Sequence, residues 1–173
     1  MRGSDVTQAS PLGRYDDGHG QQDLHEVHLQ RLPVRIHVAS RERHDELMRE
    51  FALLALGTPF GRADIPIRLV ELIEILGVRY GNAAARPDEL IDEAIARGED
   101  TVDLSYRVPA NVVEAADNLD ALMAEADGFC RAEQLLTLAR SDVMVRFATW
   151  YLDEFRRQVA GSPPQPWDGP LDP

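Results

Sequence analysis

Two hydrophobic periods alternate along this chain. In LPVRIHVAS, Val34, Ile36 and Val38 alternate with Arg35 and His37, which predicts a half-buried strand. Ser40 is placed to cap a helix, and Leu47, Met48, Phe51, Leu54 and Ala55 then share one helical face up to a stop at Gly57. After a loop at Pro59 and Gly61, Leu69, Leu72, Ile73, Leu76 and Tyr80 recur three and four apart, predicting a helix over about 65–80. Pro87 opens a short acidic helix that runs to Arg97 and stops at Gly98. Val102, Leu104, Tyr106 and Val108 alternate with Asp103, Ser105 and Arg107, a second strand. Beyond Pro109, the residues Val112, Ala115, Ala116, Leu119, Leu122, Met123 and Ala126 form a helical stripe. A short helix near 131–140 and a last one over about 142–160, stopped by Gly161, complete the pattern.

This pattern predicts a mainly helical α+β fold, about six helices around a small two-stranded sheet. The strands Val34–Val38 and Val102–Val108 would be neighbours, with Arg35 or His37 near Asp103 on the exposed face. So small a sheet is stable only under a helical cover, for which the apolar faces of 44–55 and 112–126 are the candidates. The two strand–helix units stand 68 residues apart in matching phase, as a degenerate duplication would leave them. The polar, glycine-rich stretch 1–23 reads as a flexible arm, 24–161 as a single globular domain and 162–173 as a proline-rich tail. Trp167 in that tail is read as an incidental aromatic on a loose terminus, or as a group that docks on a partner or on its own core.

Charge and composition narrow the function. A net charge of −12 argues against non-specific nucleic-acid binding. The single cysteine, Cys130, excludes an intramolecular disulfide and fits a reducing cytoplasm. No stretch has the apolar length of a membrane span, and the N-terminal residues lack the apolar centre of a signal peptide. All 18 basic residues are arginines, so there is no lysine for a P-loop or a Schiff base. Phosphate-binding glycine motifs, a GxSxG elbow and histidine-kinase-type ATPase boxes are absent from the sequence.

The chemistry-bearing residues form no complete motif. All five histidines lie between positions 19 and 44, and HEVHL places His25 and His28 one residue short of the zincin spacing. On a helix that spacing still permits a shared face, so a metal site from His25, His28 and either His37 or His44 is the alternative to a metal-free protein. Cys130, beside Arg131, is read as a core residue before a nucleophile. Residues 83–127 carry a net charge of −9, with Asp88, Glu89, Asp92 and Glu93 as the acidic start of a solvated helix. Arg31, Arg35, Arg41 and Arg43 form an opposite, basic corner, a pairing that suits protein docking.

The last helix is apolar over an unusually wide arc. Phe147, Trp150, Tyr151 and Phe155 follow one stripe, and Met144, Ala148, Leu152 and Val159 widen it. Trp150 is therefore expected to be buried, with Tyr151 or Leu152 bordering an exposed patch. The interface candidates are Trp150, Tyr151, Leu152, Phe155, Arg156 and Trp167.

The phrases LMREF, FCRAEQLLTLA and WYLDEF, in that order within residues 30–160, resemble a family of largely uncharacterised proteins from high-GC bacteria. That family is associated with partner-switching regulation, alongside anti-sigma kinases and STAS-type antagonists. The resemblance implies a docking or sensing component without catalytic or cofactor-binding residues. The expectation is a cytoplasmic, non-catalytic regulatory module that binds a protein partner or a second copy of itself. A metal-dependent enzyme and a small-molecule sensor domain are the alternatives.

Overall fold

The computed structural model describes residues 24–55 and 85–173. The elements in chain order are β1 (Leu24–Pro33), α1 (Val34–Ala55), α2 (Ala85–Arg97), β2 (Thr101–Pro109), α3 (Val112–Arg131) and α4 (Asp142–Val159). The fold is α+β, with four helices among the described residues and one two-stranded antiparallel sheet. Residues 1–23, read as an arm, and the helix expected over 65–80 lie outside the described residues.

The second strand is where the alternation placed it, but the first is not. Residues 34–38 are helical, and the partner of β2 is the preceding segment. Val27 pairs with Tyr106 and Leu29 with Leu104, and all four face the core. An irregularity between Leu29 and Leu32 puts the inward residues three apart, so the period of two vanishes from the sequence. Arg31 sits there at φ 55, with its backbone N–H donating to Asp103 Oδ1 at 2.7 Å. Arg31, not Arg35 or His37, is thus the neighbour of Asp103.

Pro33 ends the strand, and Val34 starts α1 at once, its N–H donating to the Asp100 carbonyl at 3.0 Å. Each β-branched residue in a helix costs roughly half a kcal/mol relative to alanine. Full burial of Val34 and Ile36 outweighs this, at about 1.5–3 kcal/mol per side chain. The buried face of α1 runs through Ile36, Arg43, Leu47 and Phe51, with Ser40 half-buried on the same side. With 34–38 helical, the 68-residue offset maps a helix onto a strand, so that register between the two strand–helix units does not hold.

The short helix expected over 131–140 is also absent. Glu133 takes a left-handed conformation (φ 55) just past α3, and the N–H of Gln134 closes on the Phe129 carbonyl at 3.0 Å. Beyond it, Glu50 of α1 takes over the backbone. Its carboxylate accepts the Leu136 and Thr137 N–H groups at 2.6 and 2.9 Å and the Thr137 hydroxyl at 2.8 Å. Those donors are satisfied by tertiary contact, so helix continuation has no advantage here.

Two apolar clusters result. The first joins the inner face of the sheet to Ile36, Ile91, Val112, Phe147, Phe155 and Trp167. The second packs Leu47 and Phe51 against Leu122, Ala126, Cys130 and Leu135. Tail residue Trp167 is 1% exposed, so the tryptophan docks on the chain's own core. Its backbone N–H donates to the Gln30 carbonyl at 2.9 Å, covering part of the edge of β1. The neighbouring stretch of that edge is held by Gln158, whose side-chain amide accepts from His28 N–H and donates to the His28 carbonyl, both at 2.8 Å. Buried Glu154 accepts from Gln158 Nε2, the Gln165 N–H and Arg157. Among the described residues no helix is long and apolar enough to cross a membrane.

Candidate ligand-binding cavity

A cavity of about 430 Å³ opens between α1, α3 and α4. Its two sides differ in chemistry. Leu119 and Met123 of α3, with Met144, Phe147, Ala148, Tyr151 and Leu152 of α4, form an apolar wall. The opposite wall is polar: His37, Ser40, Arg41, Arg43, His44 and Asp45 of α1, closed by Arg140 from the 132–141 loop.

Arg43 is the centre of the polar wall. Its side chain is only 8% exposed. Nη2 donates to Asp127 Oδ1 at 2.7 Å and lies 3.8 Å from the Cys130 sulfur, while Nε donates to the Leu138 carbonyl at 2.8 Å. Nη1 is buried and has no hydrogen-bond partner among the described residues. Asp127 of α3, 1% exposed, also accepts from Arg140, at 3.0 Å from its backbone N–H and 2.7 Å from Nε. One carboxylate thus holds two guanidinium groups away from water, a geometry in which removal of the anion is costly. Neighbouring His44 has its pKa lowered by burial, opposed by the charge of Asp45 and assisted by that of Arg43. Burial likewise raises the Cys130 thiol, against the pull of Arg43, so the thiol stays protonated and weakly nucleophilic.

The residues singled out from the sequence are scattered by this fold. His25 and His28 lie on β1, where a spacing of three puts them on opposite faces, so the shared helical face does not exist. His28 Nδ1 is 2.9 Å from Ser105 Oγ on the outer face of the sheet. His37 meets the Phe147 ring edge-on at 6.2 Å, and His37 and His44 both line the cavity. No three His, Cys, Asp or Glu side chains converge to a metal-sized group among the described residues.

The aromatic face of α4 is spent largely inside the chain. Leu152 and Phe155 are buried, and Tyr151 shares a hydrogen bond with the Tyr106 hydroxyl at 3.1 Å. Trp150 is half-buried rather than buried, its indole N–H donating to the Gln165 carbonyl at 3.0 Å. Arg156 ties α4 to α3 through Asp117 at 2.7 Å. Tyr151 and Leu152 line the cavity. The two most exposed leucines among the described residues are elsewhere: Leu136 is 93% and Leu138 82% exposed on the 132–141 loop.

Asp127, Glu154, Glu50 and Gln158 were not singled out. Asp127 left a faint signal, since it falls at helical spacing from Met123 and Cys130, on the face that should be apolar. No family model, curated protein or solved structure matches the chain.

Proposed function

We propose that this chain is a non-catalytic regulatory module that takes a small molecule into the cavity and responds through a protein partner. The carrying observation is the cavity itself: about 430 Å³ with one largely apolar wall, within the roughly 300–1,000 Å³ of small-molecule sites. A regulatory role is supported by the link from cavity to surface. The guanidinium of Arg43 binds the Leu138 carbonyl, and Asp127 behind it binds the Arg140 N–H, so the ion-pair centre beside the cavity holds the end of the loop. Leu136 and Leu138 on that loop are the exposed apolar side chains a protein partner would cover. The resemblance to proteins of partner-switching regulation points the same way, and the raised pKa of Cys130 weighs against nucleophilic chemistry.

The test is occupancy. A neutral probe of suitable size, 2-naphthylmethanol, should raise the melting temperature of the wild-type chain. Saturation to 100 times Kd corresponds to about 2.7 kcal/mol. The shift should vanish in Ala148→Trp, which fills the cavity from α4. Absence of any shift, or a shift that survives the filling variant, overturns the reading.

A further inference from the structure

The two edges of the sheet are finished differently. The outer edge of β1 is closed: Gln158 takes both the N–H and the carbonyl of His28, and the Trp167 N–H takes the carbonyl of Gln30. In an antiparallel ladder, a residue that turns both backbone groups away from the neighbouring strand belongs to a non-hydrogen-bonded pair. His28 is such a residue, so its partner Ser105 also turns its N–H and carbonyl away from β1, toward the outer edge of β2. Alternation along β2 turns Asp103 and Arg107 the same way. Among the described residues no strand lies beyond β2, and nothing hydrogen-bonds to the outward backbone groups of Asp103, Ser105 and Arg107. Their side chains are exposed on the outer face of the sheet. An unpaired edge of this kind is a template for another strand.

We infer that β2 pairs antiparallel with β2 of a second copy of this chain, across a twofold axis at Ser105. The charge pattern of the strand carries the argument. With Ser105 opposite Ser105, Asp103 of each copy faces Arg107 of the other, and these are the residues whose backbone groups point to the open edge. Each such pair exchanges both N–H···O=C bonds. Moving the axis to Asp103 or to Arg107 would set like charges opposite each other. Arg107 has no ion-pair partner among the described residues, and Asp103 uses Oδ1 for the Arg31 N–H, which leaves Oδ2 for the incoming guanidinium. On the inner face, Leu104 of one copy meets Tyr106 of the other and Val102 meets Val108, apolar against apolar. Two strands from each copy make a four-stranded sheet, a common size in folded domains. Repulsion between two chains of net charge −12 opposes association, but physiological salt screens it beyond about 8 Å, whereas directly opposed side chains lie about 4.5–5.5 Å apart. The surface is separate from the cavity, none of whose lining residues lies on β2.

Sedimentation of the whole chain at about 0.15 M salt should show a monomer–dimer equilibrium. Arg107→Asp sets Asp103 against a carboxylate at both symmetry-related pairs. It should raise the dimer dissociation constant at least about tenfold, with the circular dichroism spectrum unchanged. The double exchange of Asp103→Arg with Arg107→Asp restores opposite charges across the axis and should recover most of the lost affinity. In Ser105→Cys, with Cys130→Ala removing the other thiol, mild oxidation should link two chains. The Cα atoms of a hydrogen-bonded antiparallel pair are about 5.5 Å apart, within disulfide range. A wild-type chain that stays monomeric at roughly 100 μM, well above the micromolar constants of weak interfaces, overturns the inference. So does a dimer that folded Arg107→Asp leaves intact, or one whose Ser105→Cys form does not cross-link, since either places the interface elsewhere. Failure of the folded double exchange to recover association overturns the register centred on Ser105.

Discussion

Replacing Trp167 with alanine tests whether the proline-rich tail is part of the fold. The indole is 1% exposed and lies among Phe147, Trp150 and the guanidinium of Arg146, whose Cζ is 5.4 Å from the ring centroid. Burying an aromatic of this size removes about 150–250 Å² from water. At ~25 cal/mol per Å² that corresponds to about 4–6 kcal/mol, an upper bound because the unfolded chain already hides some of this surface. Core aromatic-to-alanine changes typically cost about 3–5 kcal/mol. Against a total stability of about 5–15 kcal/mol, Trp167→Ala should lower the melting temperature by about 10–20 °C. Gly169→Ala approaches the same contact from the other side, since an added Cβ would lie 2.2 Å from Cζ2 of Trp167. It should destabilise in the same direction without deleting any atom. The chain has two tryptophans, so Trp150→Phe isolates the emission of Trp167, which should be blue-shifted and resistant to acrylamide quenching. A solvent-like, readily quenched emission, together with unchanged melting of Trp167→Ala, would refute the docked tail.

The ion-pair centre and the titrating groups supply three further tests. Asp127→Ala leaves Arg43 and Arg140 buried without their common anion and should cost about 3–5 kcal/mol by chemical denaturation; a loss below about 1 kcal/mol would mean that water reaches both guanidinium groups. Burial lowers the pKa of His44 below its unfolded value of about 6.5, so the unfolded chain takes up the proton first as pH falls. The stability that depends on neutral His44 should be complete above about pH 6.5 and be lost progressively below it. His44→Gln should flatten that decline in urea melts; a variant that retains the wild-type slope rejects the assignment. Cys130, buried and with a raised pKa, should react with a disulfide reagent far more slowly in native buffer at pH 7.5 than in denaturant, and equal rates in both would contradict its burial.

The legible parts of this chain are those in which local period and tertiary surroundings agree. β2 alternates without interruption and has one wet face, so Leu104, Tyr106 and Val108 point inward as their spacing requires. α3 and α4 carry continuous apolar stripes and sit where those stripes place them. Ser141 caps α4 by accepting from the Met144 N–H at 3.3 Å, and Gly161 ends it at φ 86, with the Ser162 N–H closing on the Arg157 carbonyl at 2.8 Å. β1 was illegible because its bulge replaces a spacing of two with a spacing of three. The run 34–38 misled because Val34 and Ile36 are both buried in a helix with Val38 half-buried, so burial two residues apart here does not come from a strand.

Neighbouring residues along the chain therefore determined the α+β class, the second strand, the last two long helices and the stops at their ends. Each depends on contacts a few residues apart and on which side of an element is apolar. Only the tertiary structure decided which segment pairs with β2, that Trp167 closes the core, and that Arg43 belongs to a buried face. Those outcomes depend on partners 72 to 137 residues away: Asp103 for Arg31, Asp127 for Arg43, Gln30 for Trp167. The cavity belongs to this second group. A polar residue on a helical face reads as solvated until the element facing it brings the opposite charge, and no local period carries that information.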